Sequence, residues 1–152
     1  MEIRVKLLSF YDESIPLPAY QTLGAAGADI RAQLLHLGIQ QMEITPGSRV
    51  LIPTGVCMEI PPGFEVQIRP RSGLSLRTGL MILNSPGTID CDYRGEVQII
   101  MGNLGSNTEI IRHGERIAQI VLAPVGRASF IVCSELHNSL RGADGFGHSG
   151  SL

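Results

Sequence analysis

Four short segments of this 152-residue chain hold residue types that can do chemistry together. Residues 70–75 read Pro-Arg-Ser-Gly-Leu-Ser. A helix start presents backbone N–H groups without intrahelical acceptors and a partial positive charge, both of which favour an anion. Arg71 adds a forked cation suited to phosphate oxygens, Ser72 adds a hydroxyl, and Gly73 lets a ligand approach the backbone. Residues 84–96 carry Asn84, Thr88, Ile89, Asp90 and Tyr93 around a Pro86-Gly87 turn. Asn84 has both a donor and an acceptor, as reading the edge of a pyrimidine requires. Asp90 can orient or deprotonate a water, although a carboxylate of ordinary pKa is a weak base at neutral pH. Gln119 is a polar residue among apolar neighbours, either a satisfied edge-strand side chain or a ligand contact. Residues 141–150 interleave glycines with Arg141, Phe146, His148 and Ser149. Backbone amides spaced by glycines can converge on phosphate, and Phe146 can stack on a ring. The Gly-Lys-Ser/Thr ending of a Walker loop is absent.

Each segment also has a plain structural explanation: a capped helix with a solvated arginine, an Asp-rich turn, a strand glutamine, a tail with incidental glycines. The elements that must position these residues are short. Apolar and polar residues alternate over residues 64–69 and 3–7, as in strands with one buried face. Further strand candidates are residues 28–32, 48–54, 56–60, 80–83, 96–101, 116–122 and 128–133. Pro53, Pro61-Pro62-Gly63, Pro70, Pro86-Gly87 and Pro124 break the chain between them. Many short strands with frequent turn signals predict an all-β sandwich or barrel. One short helix is expected after residue 71, with Ser72 as N-cap and Gly79 as the C-terminal glycine. Residues 80–83 are expected to form a hairpin through the Pro-Gly turn with the chain leading from Ile89 to Glu96.

Composition narrows the function classes. Hydrophobic residues make up 43% and charged residues 17%, enough apolar material for a single core. The formal net charge is −2 and no Lys/Arg run is present, which argues against duplex nucleic acid as a partner. No apolar stretch approaches the ~18 residues of a membrane span, and the first ten residues do not resemble a signal peptide. Cys57, Cys91 and Cys133 are odd in number and form no C-x-x-C pair, as expected of free thiols in a reducing compartment. A cytoplasmic protein is the expectation. His36, His113, His137 and His148 lack zinc-ligand spacing, and no Gly-x-Ser-x-Gly elbow occurs.

In order and spacing, five segments resemble the five motifs of the trimeric, all-β dUTPase family. Residues 27–32 resemble the first, residues 70–75 the second, residues 87–96 the third, residues 114–122 the fourth and residues 141–150 the fifth. The resemblance implies a distorted jelly roll or β-barrel over residues 1–138. A mobile Gly-rich tail over residues 139–152 would close over an active site. It implies a homotrimer with active sites shared between subunits and Mg²⁺ as cofactor. The implied reaction is water attack on the α-phosphorus of dUTP, giving dUMP and pyrophosphate. That reaction keeps uracil out of DNA and supplies dUMP for thymidylate synthesis. By the same resemblance, Asp90 activates the water and Asp29 positions the metal-bound triphosphate through water. Arg71, Ser72, Gly73 and Gln119 hold phosphates. Asn84 and the backbone of Thr88, Ile89 and Asp90 read uracil and the 3′-hydroxyl. Tyr93 packs under the sugar and Gln98 lines the pocket. Phe146 stacks over uracil, while Arg141, His148 and Ser149 close on the outer phosphates. The sequence departs from the usual pattern at Asp144, where glycine is common, at His148, where serine is common, and at Ala28, where a larger side chain is common. A dCTP deaminase of the same fold and a non-catalytic dUTPase-like regulator are the competing readings.

Overall fold

The alternating patterns become strands of two facing sheets. A computed structural model describes residues 1–143; Phe146, His148 and Ser149 lie outside the described residues. The strands are β1 (Arg4–Leu7), β2 (Ala19–Tyr20), β3 (Ala28–Arg31), β4 (Gln41–Ile44), β5 (Arg49–Glu59), β6 (Phe64–Arg69), β7 (Leu80–Ile82), β8 (Gly87–Ile89), β9 (Glu96–Asn103), β10 (Glu109–Arg112) and β11 (Arg116–Pro124). A 3₁₀ turn, η1 (Leu35–Leu37), and one helix, α1 (Ser72–Arg77), accompany them. One sheet runs β1-β5-β9-β7, a second runs β2-β3-β11-β6-β8, and β4 and β10 form a separate ribbon. All the pairings are antiparallel, giving a distorted jelly roll.

The alternation decides which side chains remain outside. Along β9, Val97, Ile99 and Met101 enter the core while Gln98 and Ile100 stay exposed. Along β3, Ala28 and Ile30 are buried, so Asp29 and Arg31 face the other way. The core is continuous between the sheets and built largely of Ile, Val, Leu and Met. Asn103, fully buried, ties three segments together. Its amide donates to the carbonyls of Ile44 and Asn107, each at 2.7 Å, and its Oδ1 accepts the Gly105 N–H at 2.8 Å.

Five local expectations are corrected. Residues 48–54 and 56–60 belong to one strand, β5, and Pro53 does not break it. β1 pairs only with residues 56–59 of β5, so Pro53 lies beyond that ladder, beside a register shift where a missing N–H costs no strand bond. Residues 80–83 do not form a hairpin with the chain after Pro86: β7 pairs with β9 and β8 pairs with β6 in the other sheet. Arg71, not Ser72, is the N-cap of α1, with no side-chain cap bond. Gly79 is not a left-handed C-terminal residue. It is glycine because a Cβ there would lie 2.2 Å from the backbone N of Gly105. Finally, residues 128–133 form no strand and are exposed.

Candidate active site

Two groups of candidate side chains emerge, one on the five-stranded sheet and one in a cleft between β8 and the four-stranded sheet. The first centres on Asp29. Its Oδ1 accepts from Arg71 Nε at 2.9 Å and its Oδ2 accepts from Arg116 Nη1 at 3.1 Å. Arg71 Nη1 also donates to the Arg116 carbonyl at 3.1 Å. The Asp29 side chain is only 12% exposed, so these charge-assisted bonds hold it in one orientation. Gln119 lies opposite Asp29 across the β3–β11 ladder and opposite Arg69 across β11–β6. Its Nε2 donates to the Pro70 carbonyl at 2.9 Å, fixing the turn that leads into α1. β11 is an interior strand, so Gln119 is not an edge residue. Gly27 makes room for it, since a Cβ there would fall 2.1 Å from Gln119 Oε1. Ser72 and Gly73 open α1 directly beside Arg71, where the first-turn amides have no intrahelical acceptors.

The second group surrounds Asp90, just past β8. Leu51, Thr88, Ile89, Asp90, Tyr93, Glu96, Gln98 and Ile100 line a cleft of about 180 Å³. Asp90 also borders a larger cleft of about 590 Å³ against residues 62–65, Val125 and Arg127. Its carboxylate is exposed and has no hydrogen-bond or ion-pair partner among the described residues. Tyr93 is held by its hydroxyl, which donates to the Glu96 carbonyl at 3.1 Å. The ring tip passes over Gly95, where a Cβ would lie 2.3 Å from the Tyr93 oxygen. Asn84 sits against Gly87 at the mouth of the turn that follows β7, with its side chain exposed.

The two groups do not meet within one chain. Gln119 is level with Arg69, and Asp90 follows Ile89, which is level with Val66. Four residues along the strand and two strand spacings across it put their backbones roughly 16 Å apart. The chain matches known proteins over nearly its full length. The dUTPase family model matches residues 13–150. This chain belongs to the dUTPase family.

Relatives sharpen the match. The deoxyuridine 5′-triphosphate nucleotidohydrolase of Roseobacter denitrificans is 57% identical over 139 residues, covering 91% of this chain and 90% of that protein. The corresponding protein of Chlamydia felis is 52% identical over 142 residues, with 91% and 94% coverage. Among solved structures, the dUTPase of Staphylococcus bacteriophage 80alpha with dUPNHPP superposes with a TM-score of 0.81 at 28% identity, covering 98% of each chain. A mutant dUTPase of phage phi11 of S. aureus, whose structure details the coordination of a structural Mg(II) ion, shares the fold with a TM-score of 0.77 at 24% identity, covering 91% of this chain and 100% of that one.

Sequence reasoning missed two residues that the fold brings into contact with these groups. Arg116, the second cation on Asp29, lies 87 residues further along the chain and carries no local signal. Glu96 reads as a strand residue, and its contacts appear only once β5 is folded against β9. No helix among the described residues is long and apolar enough to cross a membrane.

Proposed function

We propose that this protein hydrolyses dUTP to dUMP and pyrophosphate, with Asp90 directing a water at the α-phosphorus. The observation that carries the reading is the contrast between the two aspartates in a chain 57% identical to a deoxyuridine triphosphate nucleotidohydrolase. Asp29 is saturated by two arginines, whereas the Asp90 carboxylate stands unpartnered at the rim of two clefts. A general base must keep a lone pair open and lie within one water of the reacting atom. Of these two aspartates, Asp90 meets the first condition and Asp29 does not.

The remaining roles follow the chemistry. Arg71, Ser72, Gly73 and Gln119 hold phosphates, and the pre-set Arg71 guanidinium needs no reordering to meet them. Asn84 and the backbone at Thr88, Ile89 and Asp90 read the base and the 3′-hydroxyl, with Gln98 on the cleft wall. Tyr93, fixed over Gly95, forms the floor under the sugar and disfavours a 2′-hydroxyl. Arg141, Phe146, His148 and Ser149 close over the bound nucleotide, the tail beginning at residue 139.

Mg²⁺ fits the residues present if the triphosphate supplies most of its ligands. Among the described residues no cluster of three His, Cys, Asp or Glu side chains offers a cage, and both Asp29 oxygens are engaged by arginine. Asp29 therefore suits contact through a metal-bound water, as is common for Mg²⁺. The ion, when bound, offsets phosphate charge in the transition state.

A homotrimer with shared sites accounts for the separation of the two groups and for an exposed apolar arm after β11. Phe130 is 96% exposed, Ile131 83% and Val132 100%, values that a soluble chain rarely leaves uncovered in a row. Cytoplasmic residence suits the three unpaired thiols. The test is pyrophosphate release from dUTP, dCTP, dTTP and UTP side by side, with and without EDTA. Selective turnover of dUTP that EDTA abolishes, and that Asp90→Asn loses while retaining nucleotide binding, is expected. Comparable rates on all four nucleotides, or ammonia release from dCTP, would refute it.

A further inference from the structure

The first residue of β9 fastens two walls of the Asp90 cleft to the neighbouring strand. Glu96 Oε1 accepts the backbone N–H groups of Thr54 at 3.0 Å and Gly55 at 2.7 Å. Both amides lie where the β5–β9 register shifts between Pro53 and Cys57, and Gly55 there has φ +68°. A bulge takes amides out of the ladder and they need another acceptor; the Glu96 carboxylate supplies it. The other oxygen, Oε2, accepts from Gln98 Nε2 at 3.0 Å, and the Glu96 carbonyl accepts the Tyr93 hydroxyl.

The chemistry of the pair fixes more than position. A carboxylate only accepts, so the end of the Gln98 amide that faces Glu96 must be its NH₂. The Gln98 carbonyl oxygen is thereby turned away from Glu96, and it has no hydrogen-bond partner among the described residues. We infer that Glu96 is a positioning residue that sets the polarity of Gln98, so that the cleft offers a hydrogen-bond acceptor to a donor group of the nucleotide. This inference rests on the proposed function for the identity of the ligand, and on the hydrogen bonds alone for the polarity.

Glu96→Gln separates polarity from support. The new side-chain oxygen still accepts from Thr54 and Gly55, but its NH₂ now faces Gln98 and drives that amide to flip. A donor then faces the donor of the nucleotide. The expected result is a KM for dUTP raised roughly ten-fold or more with kcat within about two-fold, because the lost contact is made in ground and transition states alike. Tm should fall by no more than about 5 °C, since only the charge on one acceptor is removed. The double variant Glu96→Gln/Gln98→Glu exchanges the two groups, again turns an acceptor oxygen to the cleft, and should recover KM to within about three-fold of the parent. An unchanged KM in Glu96→Gln, or no recovery in the double variant, overturns the inference. A second measurement needs no nucleotide and so stands apart from the dUTPase reading. In ¹⁵N-labelled parent protein the Gln98 side-chain amide protons should exchange with water more slowly than in Glu96→Gln. Equal exchange in the two proteins would show that Glu96 does not hold Gln98. A parent that fails to cleave dUTP, with the exchange difference intact, would refute the proposed function and leave the polarity standing.

Discussion

If Asp90 and the phosphate-holding residues act on one nucleotide, they must come from different subunits, and mixing inactive variants should restore activity. Gln119 and Asp90 are roughly 16 Å apart in a single chain by strand rise and spacing. Arg71 points still further from Asp90, toward Asp29 and Arg116. Asp90→Asn and Arg71→Ala should each be nearly inactive as pure proteins. In a threefold ring with heterologous interfaces, each site takes Asp90 from one chain and Arg71 from the next. After co-refolding at equal amounts, an intact site needs an Arg71→Ala chain on one side and a Asp90→Asn chain on the other. Random assembly meets each condition half the time, so about a quarter of sites should work and activity should recover to about 25% of the parent. The assay is pyrophosphate release from dUTP, with native mass spectrometry verifying mixed oligomers. A same-chain site predicts no recovery at any ratio. Mixed oligomers without activity would therefore refute the argument from strand geometry.

Three other consequences can be measured directly. Gly79→Ala places a Cβ 2.2 Å from Gly105 N and 2.5 Å from Asn103 Oδ1. That overpacking against backbone should cost about 2–3 kcal/mol and lower Tm by roughly 5–10 °C in a scanning calorimeter; an unchanged Tm would mean that the two segments separate freely. Tyr93→Ala removes the floor expected under the sugar and should raise the UTP/dUTP ratio of kcat/KM roughly ten-fold, whereas a constant ratio would assign ribose discrimination elsewhere. Asp12 accepts hydrogen bonds from Ser14 and pairs with His113 Nε2 at 3.0 Å, which lowers its pKa to about 2. A folded-state pKa below the unfolded one stabilises above the unfolded value, and the gain is lost as pH falls through the folded value. Asp12→Asn should therefore flatten the acid limb of stability between about pH 4 and pH 2 in urea titrations; an acid limb matching the parent would refute the contribution.

The parts of this protein legible in its sequence are those set by local physics. Alternation of apolar and polar residues marked β6, because a strand with one buried face must repeat every two residues, whereas the same pattern over residues 3–7 met a strand, β1, that is exposed throughout. Arg71, Asn84, Asp90 and Gln119 stood out by residue type within turns and strands, whereas Asp29, Tyr93 and Gln98 were named only through the resemblance of the five segments to the dUTPase motifs. Short or weakly patterned strands escaped: β2 is two residues long, and β4 and β10 pair only with each other. Residues 128–133 have strand-like composition, yet a strand needs a partner edge, which the single chain does not give them.

Long-range pairing decided the rest. Whether Pro53 breaks a strand depends on where β1 stops pairing with β5, a fact about another segment. The chain after Pro86 joins β6 rather than β7 because hydrogen-bonding partners are chosen by packing of the two sheets, not by adjacency in sequence. Arg116 meets Asp29 across 87 residues, and Glu96 meets Thr54 and Gly55 across 42 and 41. Sequence alone fixed which groups were present and which faces had to be buried. Folding determined which carboxylate was consumed by arginines and which was left open, because contact between distant side chains depends on strand order and register.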